Sequence, residues 1–381
     1  MALLAVGSFA GFMTGKDAGV DGPIQDIESK AVSGNVAAQL ELARRCDEEQ
    51  KYEQAVAWLT RAAETGEPAA KTALAQHLVS HPPYNVFEGI RYALEAIYEG
   101  DSEAVHLLAV LAAEGLGLPQ SWQGALDYLL LAAERGHVLS KAELAALAGQ
   151  WALANTIVAG EAAPVEDWKR LRQSIDLGAW LAAPRARIMS EAPRIAVAEK
   201  FLPAPVCDWL IERARPQTRR ARVFDVERGV QMHHEVRSNS DAFLTVAKMD
   251  MVTVAARARV AALAGLPLAG LEDSAILHYS IGEEYKPHHD FLDPTPAMMQ
   301  EIASAGQRVA TVLIYLNEGY EGGETDFPLA RKRYKGRKGD ALLFWNVTPS
   351  GQSDGLTLHA GLPPTRGEKW LFSQWIRQRV T

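Results

Sequence analysis

Apolar positions follow two different periods along the chain. From about residue 25 to 180 they recur at i, i+3, i+4, i+7 and i+8, which lines one face of a helix. Ala55, Trp58, Leu59, Ala62, Ala63 and Glu64 return 70 residues later as Ala125, Tyr128, Leu129, Ala132, Ala133 and Glu134. Midway, Ile90, Ala93, Leu94, Ile97, Tyr98 and Glu99 occupy the same frame, so the underlying period is about 35 residues. Gly66, Gly100 and Gly136 follow these helices, where the left-handed conformation that ends a helix favours glycine. A second helix then starts in each unit, as over Pro68–Val79 and Ser102–Ala113. Helix pairs that each leave an apolar face for the next pair to cover predict an α-solenoid.

From about residue 190 the pattern changes to short β-branched and aromatic runs separated by turns. Strands are expected at Ile195–Ala198, Ala275–Tyr279, Val309–Leu316, Ala341–Phe344, Thr357–Ala360 and Lys369–Trp375. Frequent turns between short strands predict a β-sandwich or jelly-roll barrel. Helices over Pro205–Arg215 and Ala242–Ala264 are expected on one outer face. Two prolines and weak periodicity mark Ala182–Pro193 as the linker. Two domains follow, a helical repeat domain at 25–180 and a strand-rich domain at 194–381.

Composition narrows the function classes. Hydrophobic residues at 48% and charged residues at 23% exclude a disordered chain or a coiled-coil rod. A net charge of −8 argues against nucleic acid as a partner unless a local basic patch exists. Cys46 and Cys207 match no disulfide framework or zinc spacing, which fits a reducing cytoplasm. Met1–Gly15 is apolar, but Lys16 follows the apolar run, the reverse of a secretory signal. Fifteen residues are also fewer than the about 20 that span a bilayer. This segment is expected to be a mobile or surface-docked terminus, and no membrane partner is expected.

The chemistry centres on Pro287-His288-His289-Asp290. On an extended segment His288 and Asp290 project to the same side and His289 to the other. An imidazole and a carboxylate on one face can chelate a divalent metal, with a third ligand from a distant strand. His359, on the short apolar strand Leu358-His359-Ala360, is the best candidate. Two His and one carboxylate are the facial triad of non-haem Fe(II) oxygenases, which leaves positions open for a co-substrate and dioxygen. Lys369 lies ten residues after His359 across a turn, so a hairpin would carry it into the same barrel mouth. An ammonium there needs a counter-charge, which a dicarboxylate co-substrate would supply.

At this point the sequence resembles known families. Tyr279-Ser-Ile-Gly282-Glu-Glu-Tyr285-Lys-Pro-His288-His-Asp290 is similar to the prolyl 4-hydroxylase motif YxxGxxYxxHxD. The run Arg308–Asn317, the turn Glu321–Pro328, the strand Lys338–Phe344 and the closing His359-Ala-Gly361 with Gly367-Glu-Lys369-Trp370 follow in that family's order. The resemblance covers about residues 195 to 379. It implies a double-stranded β-helix and hydroxylation dependent on Fe(II) and 2-oxoglutarate, most readily of peptidyl proline, with succinate and CO2 as co-products. It further implies His288, Asp290 and His359 as iron ligands, and Lys369 and Tyr279 on the distal carboxylate of 2-oxoglutarate. Tyr285, Arg308 and Trp375 would lie near the peptide, Arg237-Ser238-Asn239-Ser240 would border the groove, and L-ascorbate would be an auxiliary reductant. The insertion FLDPTPAMMQEIASAGQ between Asp290 and Arg308 is expected to act as a lid. The segments AVAWLTRAAETGEPAAKTALA and GALDYLLLAAERGHVLSKAELA resemble Sel1-like repeats, relatives of the tetratricopeptide family, which implies a surface for a protein partner.

Three alternatives stay open on sequence. The same chemistry could serve another residue or a small molecule. A catalytically dead barrel could leave the repeats as a protein-binding scaffold. The repeats could also merely brace the barrel.

Overall fold

The computed structural model describes residues 24–161, 167–225, 230–232 and 236–378. The reading of Met1–Gly15 lies outside them. The described chain divides into two compact units: residues up to 177 together with Thr245–Val254, and Gly178–Leu244 together with Ala255 onward.

The helical unit runs α1 (Ile24–Val32), α2 (Val36–Glu48), α3 (Tyr52–Ala63), α4 (Pro68–Ser80), α5 (Val86–Tyr98), α6 (Ser102–Glu114), α7 (Trp122–Glu134), α8 (Val138–Leu147), α9 (Trp151–Val158) and α10 (Trp168–Ser174). Side-chain caps fix several starts. Asn35, Asn85, Asp101 and Ser121 each accept a hydrogen bond from the backbone N–H three residues on. Gly66, Gly100 and Gly136 close α3, α5 and α7 at φ of 86°, 101° and 97°. Alanines at the shared face, among them Ala75, Ala93, Ala96 and Ala104, are fully buried with Leu108 and Leu111. Small side chains there let the helix backbones come close. Helix α6 is buried all round over Ala104–Ala113, because residues Thr245–Val254 cover its other side. Val246 packs into the α4–α6 cluster. The Ala247 N–H donates to Ser80 Oγ at 2.9 Å, and the Met251 N–H donates to Glu143 Oε2 at 2.8 Å.

The second unit begins with α11 (Leu177–Leu181), whose first residue belongs to the helical unit, and carries α12 (Ala204–Ala214), α13 (Met251–Ala264, its first turn in the helical unit) and α14 (Pro296–Ala305). Its strands are β1 (Arg187–Glu191), β2 (Arg194–Ala198), β3 (Arg219–Arg220), β4 (Val223–Asp225), β5 (Val230–Met232), β6 (Ser240–Leu244), β7 (Ser274–Tyr279), β8 (Tyr285–His288), β9 (Arg308–Tyr315), β10 (Glu321–Gly322), β11 (Thr325–Phe327), β12 (Lys332–Tyr334), β13 (Ala341–Trp345), β14 (His359–Gly361), β15 (Pro364–Arg366) and β16 (Lys369–Arg377). One sheet has eight strands in the order β1-β2-β13-β9-β16-β7-β6-β3, and a four-stranded sheet runs β12-β11-β14-β8. The strand pairings within both sheets are antiparallel. Ile195, Val197, Leu277, Tyr279, Leu313, Tyr315, Phe327, Leu342, Phe344 and Leu371 form the buried core of this unit.

Three local expectations differ from the structure. Arg187–Glu191, read as linker, is the edge strand β1; its half-exposed residues give no alternation to read. Ala242–Ala264 is not one helix. Ser240–Leu244 is a strand paired with β7, and the helix starts at Met251, capped by Asp250 Oδ1 on the Thr253 N–H at 2.7 Å. The apolar residues on both sides of that break blurred the change of period. The strand expected over Thr357–Ala360 starts at His359, after a 3-10 turn over Gly355–Thr357.

Candidate active site

Period-two alternation places the site. Strand β16 turns Lys369, Leu371, Ser373 and Trp375 toward one cavity, and β7 turns Leu277 and Tyr279 toward it. Strands β8 and β14 add His288 and His359 from the smaller sheet, and Asp290 lies two residues past the end of β8. Arg237, Tyr285, His288, Asp290, His359 and Gly361 complete a cavity of about 410 Å³, counting its open mouth.

His359 stands directly opposite His288 in the β14–β8 ladder. Donor atoms of His288, Asp290 and His359 lie within 4.8 Å of one another, and no other such cluster of His, Cys, Asp and Glu occurs among the described residues. His288 Nε2 is 3.7 Å from Asp290 Oδ1, and His359 Nε2 is 3.6 Å from Asp290 Oδ2. Backbone carbonyls set both tautomers. His288 Nδ1 donates to Lys286 O at 2.8 Å and His359 Nδ1 to Thr357 O at 3.0 Å, which leaves each Nε2 lone pair facing the cluster. Burial, helped by His359, lowers the His288 pKa to about 3, so its imidazole is neutral. Burial pushes the Asp290 pKa upward, but His359, a hydrogen bond from Thr311 and the Arg308 charge outweigh it and hold the carboxyl below its usual value.

Sequence reasoning missed the support behind Asp290. Thr311 Oγ1 donates to Asp290 Oδ2 at 2.7 Å and itself accepts from Asn346 Nδ2 at 3.0 Å. Both residues are fully buried. A threonine between Val309, Leu313 and Tyr315 on the inward period of β9 was the legible signal.

Lys369 is 0% exposed and pairs across the strand with Tyr279. Its Nζ has no hydrogen-bond partner, lies 4.8 Å from the Tyr279 ring centre and 5.8 Å from that of Tyr315. Burial lowers its pKa to about 7, with Glu324 acting weakly the other way. A buried ammonium with no partner fits a carboxylate that arrives from outside. Two Nε2 lone pairs and a carboxylate likewise fit a divalent ion with nitrogen and oxygen preference. Tyr279 is buried, and a Cβ on Gly361 would come within 3.0 Å of its hydroxyl, so glycine keeps that space open.

The remaining expected residues are distributed unevenly. Tyr285 stacks on the His288 ring at 3.5 Å between centres, with the Arg237 guanidinium 4.9 Å above Tyr285. Arg237 is held by Asp241 at 2.7 Å. Trp375 lines the cavity, and its indole N–H is buried without a hydrogen-bond partner. Arg308 is not a lining residue. Its guanidinium pairs with Glu272 at 2.7 Å and sits 4.2 Å above the Trp375 ring. The segment expected as a lid holds helix α14, tied to β16 where Arg377 pairs with Glu301 and donates to Gly306 O.

A family model of the 2OG-Fe(II) oxygenase superfamily matches residues 274–377. Prolyl 4-hydroxylase 1 of Arabidopsis thaliana is 37% identical over 211 residues, covering 52% of this chain and 73% of that protein. The chain belongs to the prolyl 4-hydroxylase family of 2OG-Fe(II) oxygenases. Prolyl 4-hydroxylase 5 of the same plant is 34% identical, with 50% and 70% of the two chains covered. Among solved structures, a viral collagen prolyl hydroxylase from Paramecium Bursaria Chlorella virus-1 aligns at 27% identity and a TM-score of 0.36, over 48% of this chain and 94% of that one. A Sel1 repeat protein from Oxalobacter formigenes aligns at 28% identity and a TM-score of 0.25, over 30% and 90%. The oxygenase is thus a 2-oxoglutarate-dependent dioxygenase joined to an N-terminal helical repeat region. No helix among its described residues is long and apolar enough to cross a membrane.

Proposed function

We propose that the protein hydroxylates proline in a protein or peptide substrate, with His288, Asp290 and His359 holding Fe(II). The observation that supports this most directly is the orphaned Lys369 ammonium sharing one cavity with that three-residue cluster. Bound Fe(II) with 2-oxoglutarate supplies the oxidising chemistry: one atom of dioxygen enters a C–H bond, the other enters succinate, and CO2 leaves.

The chain's own residues prepare the site. Lys286 O and Thr357 O hold the two imidazoles in the tautomer that offers Nε2. Thr311 keeps one Asp290 oxygen occupied and the carboxylate fixed in rotation. Lys369 neutralises the distal carboxylate of 2-oxoglutarate, and the Tyr279 hydroxyl donates a second hydrogen bond to it. Leu277, Leu313 and Leu371 exclude water from that end. Tyr285, Arg237 and Trp375 shape the open end, where the peptide enters, and Arg308 sets the plane of Trp375 from behind. Ascorbate serves as an auxiliary reductant that returns iron to the ferrous form. The helical repeats recruit the protein substrate. The unpaired cysteines Cys46 and Cys207 support a reducing compartment, the cytoplasm.

The test is succinate release with Fe(II) and 2-oxoglutarate, with and without a proline-containing peptide, followed by mass spectrometry of the peptide. Stimulated release with one oxygen added at proline is expected. Full turnover that no proline peptide stimulates, with oxygen appearing only on other residues or on small molecules, would reject proline as the target.

A further inference from the structure

The four-stranded sheet that carries His288 on β8 and His359 on β14 ends, on its far side, in β12. That edge is strongly basic. Arg331, Lys332, Arg333, Lys335, Arg337 and Lys338 fall within eight residues that contain no acid, in a chain whose net charge is −8. The first five are exposed and Lys338 is half-exposed. Three of the six are engaged: Arg333 with Asp326, Lys338 with Asp208, and Lys335 with Tyr320 O. Arg331, Lys332 and Arg337 have no side-chain partner recorded among the described residues. Asp340 and Glu199 also act on the neighbouring Tyr334, opposed by Arg187. Tyr334 O already accepts from the Tyr315 hydroxyl at 3.1 Å, and a terminal strand leaves the rest of its outward row of backbone N–H and C=O groups free to pair with another chain.

We propose that β12 is a docking edge for an acidic, extended polypeptide segment, which adds to the sheet as a strand and pairs its carboxylates with Arg331, Lys332 and Arg337. Charge complementarity selects this occupant. A second copy would bring six like cations against six, which opposes edge-to-edge pairing. A nucleic acid would gain the cations, but Tyr334, the only aromatic in the run, is turned inward with its hydroxyl toward Asp340, so bases find no platform. Strand addition uses main-chain hydrogen bonds for affinity and side chains for choice of partner. Two strands lie beyond β12 before β8, at about 4.8 Å each, so a docked segment would run on the same sheet as the metal-binding cluster without entering the cavity.

The test measures binding on the full chain by fluorescence anisotropy, with no iron or 2-oxoglutarate, so its outcome is independent of the proposed reaction. The probe is a synthetic eight-residue peptide alternating Glu and Val. Controls are the same charge with every second residue proline, and a single-stranded oligonucleotide of equal charge. The alternating peptide should bind, and weaken as salt rises from about 50 to about 300 mM. The proline peptide should bind at least about tenfold more weakly, since it cannot complete the ladder. K332E/R337E should weaken binding of the alternating peptide by about tenfold or more, with an unchanged melting temperature. K332Q/R337Q serves if the double reversal does not fold. Absent binding means the cations only protect the edge from self-association. Equal binding of the proline peptide means charge alone, and tighter binding of the oligonucleotide means a nucleic-acid surface; any of these overturns the proposal.

Discussion

At the residue scale, Lys369 makes the site's most specific demand. Its ammonium is held near pKa 7 chiefly by burial, with Glu324 acting against it and Lys335 with it, and it has no hydrogen-bond partner. A dianionic partner must raise that value, so binding of 2-oxoglutarate takes up a proton above pH 7. Affinity should be full below pH 7 and fall about tenfold per unit above it, until the pKa of the complex is reached. Calorimetry in buffers of different ionisation heat would show this; a flat affinity from pH 6 to 9 would mean the ammonium does not meet the co-substrate. Lys369→Ala should weaken 2-oxoglutarate binding by about 10- to 100-fold and abolish that pH dependence, since a hydrogen bond to a charged group contributes about 1.5–3 kcal/mol. Behind the other end of the cavity, Thr311→Val should weaken metal binding about 10- to 100-fold by freeing Asp290 and leaving Asn346 Nδ2 unpaired. Cobalt titration followed by absorbance reads it, and wild-type affinity would show that Thr311 has no hold on the site.

At the element scale, what could be read from the sequence depended on whether a segment shows its period. Strands β7, β9, β13 and β16 are buried on their inward face, so Ala275–Tyr279, Val309–Leu316, Ala341–Phe344 and Lys369–Trp375 announced themselves to within a residue or two. His288 and Asp290 were legible because a strand puts alternate residues on one face, and His359 because it stood on an apolar strand without another task. Edge strand β1 carries mixed exposure and the two residues of β3 are both exposed, so neither gave a signal. The role of Glu143 was also hidden, because nothing local explains a fully buried carboxylate in α8. It accepts from Met251, over 100 residues away, and pairs with His106 Nε2 at 2.8 Å. Burial would lower the His106 pKa, but Glu143, with Glu103 and Asp250, outweighs it and raises it. A raised value means His106 stabilises the fold fully below about pH 6.5 and loses that contribution as pH rises through its folded pKa. His106→Gln should therefore destabilise the protein more at pH 5.5 than at pH 8.5, as read by denaturant midpoints; equal losses would show that the pair is not charged. Glu143→Ala should cost about 3 kcal/mol or more, because it strands a buried imidazolium and a backbone N–H together.

At the scale of the whole molecule, the order of the chain and the grouping of its packed units differ. Thr245–Val254 lies in sequence between β6 and the body of α13, yet it packs as part of the helical unit. Its side chains depend on those helices. Met249, Met251 and Val252 are 2%, 1% and 0% exposed, and Val246 fills the cluster around Leu107 and Leu108. The face of α4, α6 and α8 that meets this segment is occupied by the chain itself, so any partner of the repeats has to use other surfaces. Exposed Phe87, Leu94 and Tyr98 on α5 are spaced by seven and four residues, which puts them on one outward stripe. A chain begun at Gly178 would keep Thr245–Val254 but lose the helices that cover it. Val246 and the backbone N–H groups of Ala247 and Met251 would then lose their partners on those helices. Such a chain should melt at lower temperature, bind a hydrophobic dye strongly and aggregate, even though every residue of the metal-binding cluster is present. If residues 178–381 instead proved as soluble and as thermally stable as the full chain, the repeats would be dispensable for folding. Their retention would then have to be explained by a partner alone, and Phe87, Leu94 and Tyr98 would be the first residues to substitute in a pull-down that tests for one.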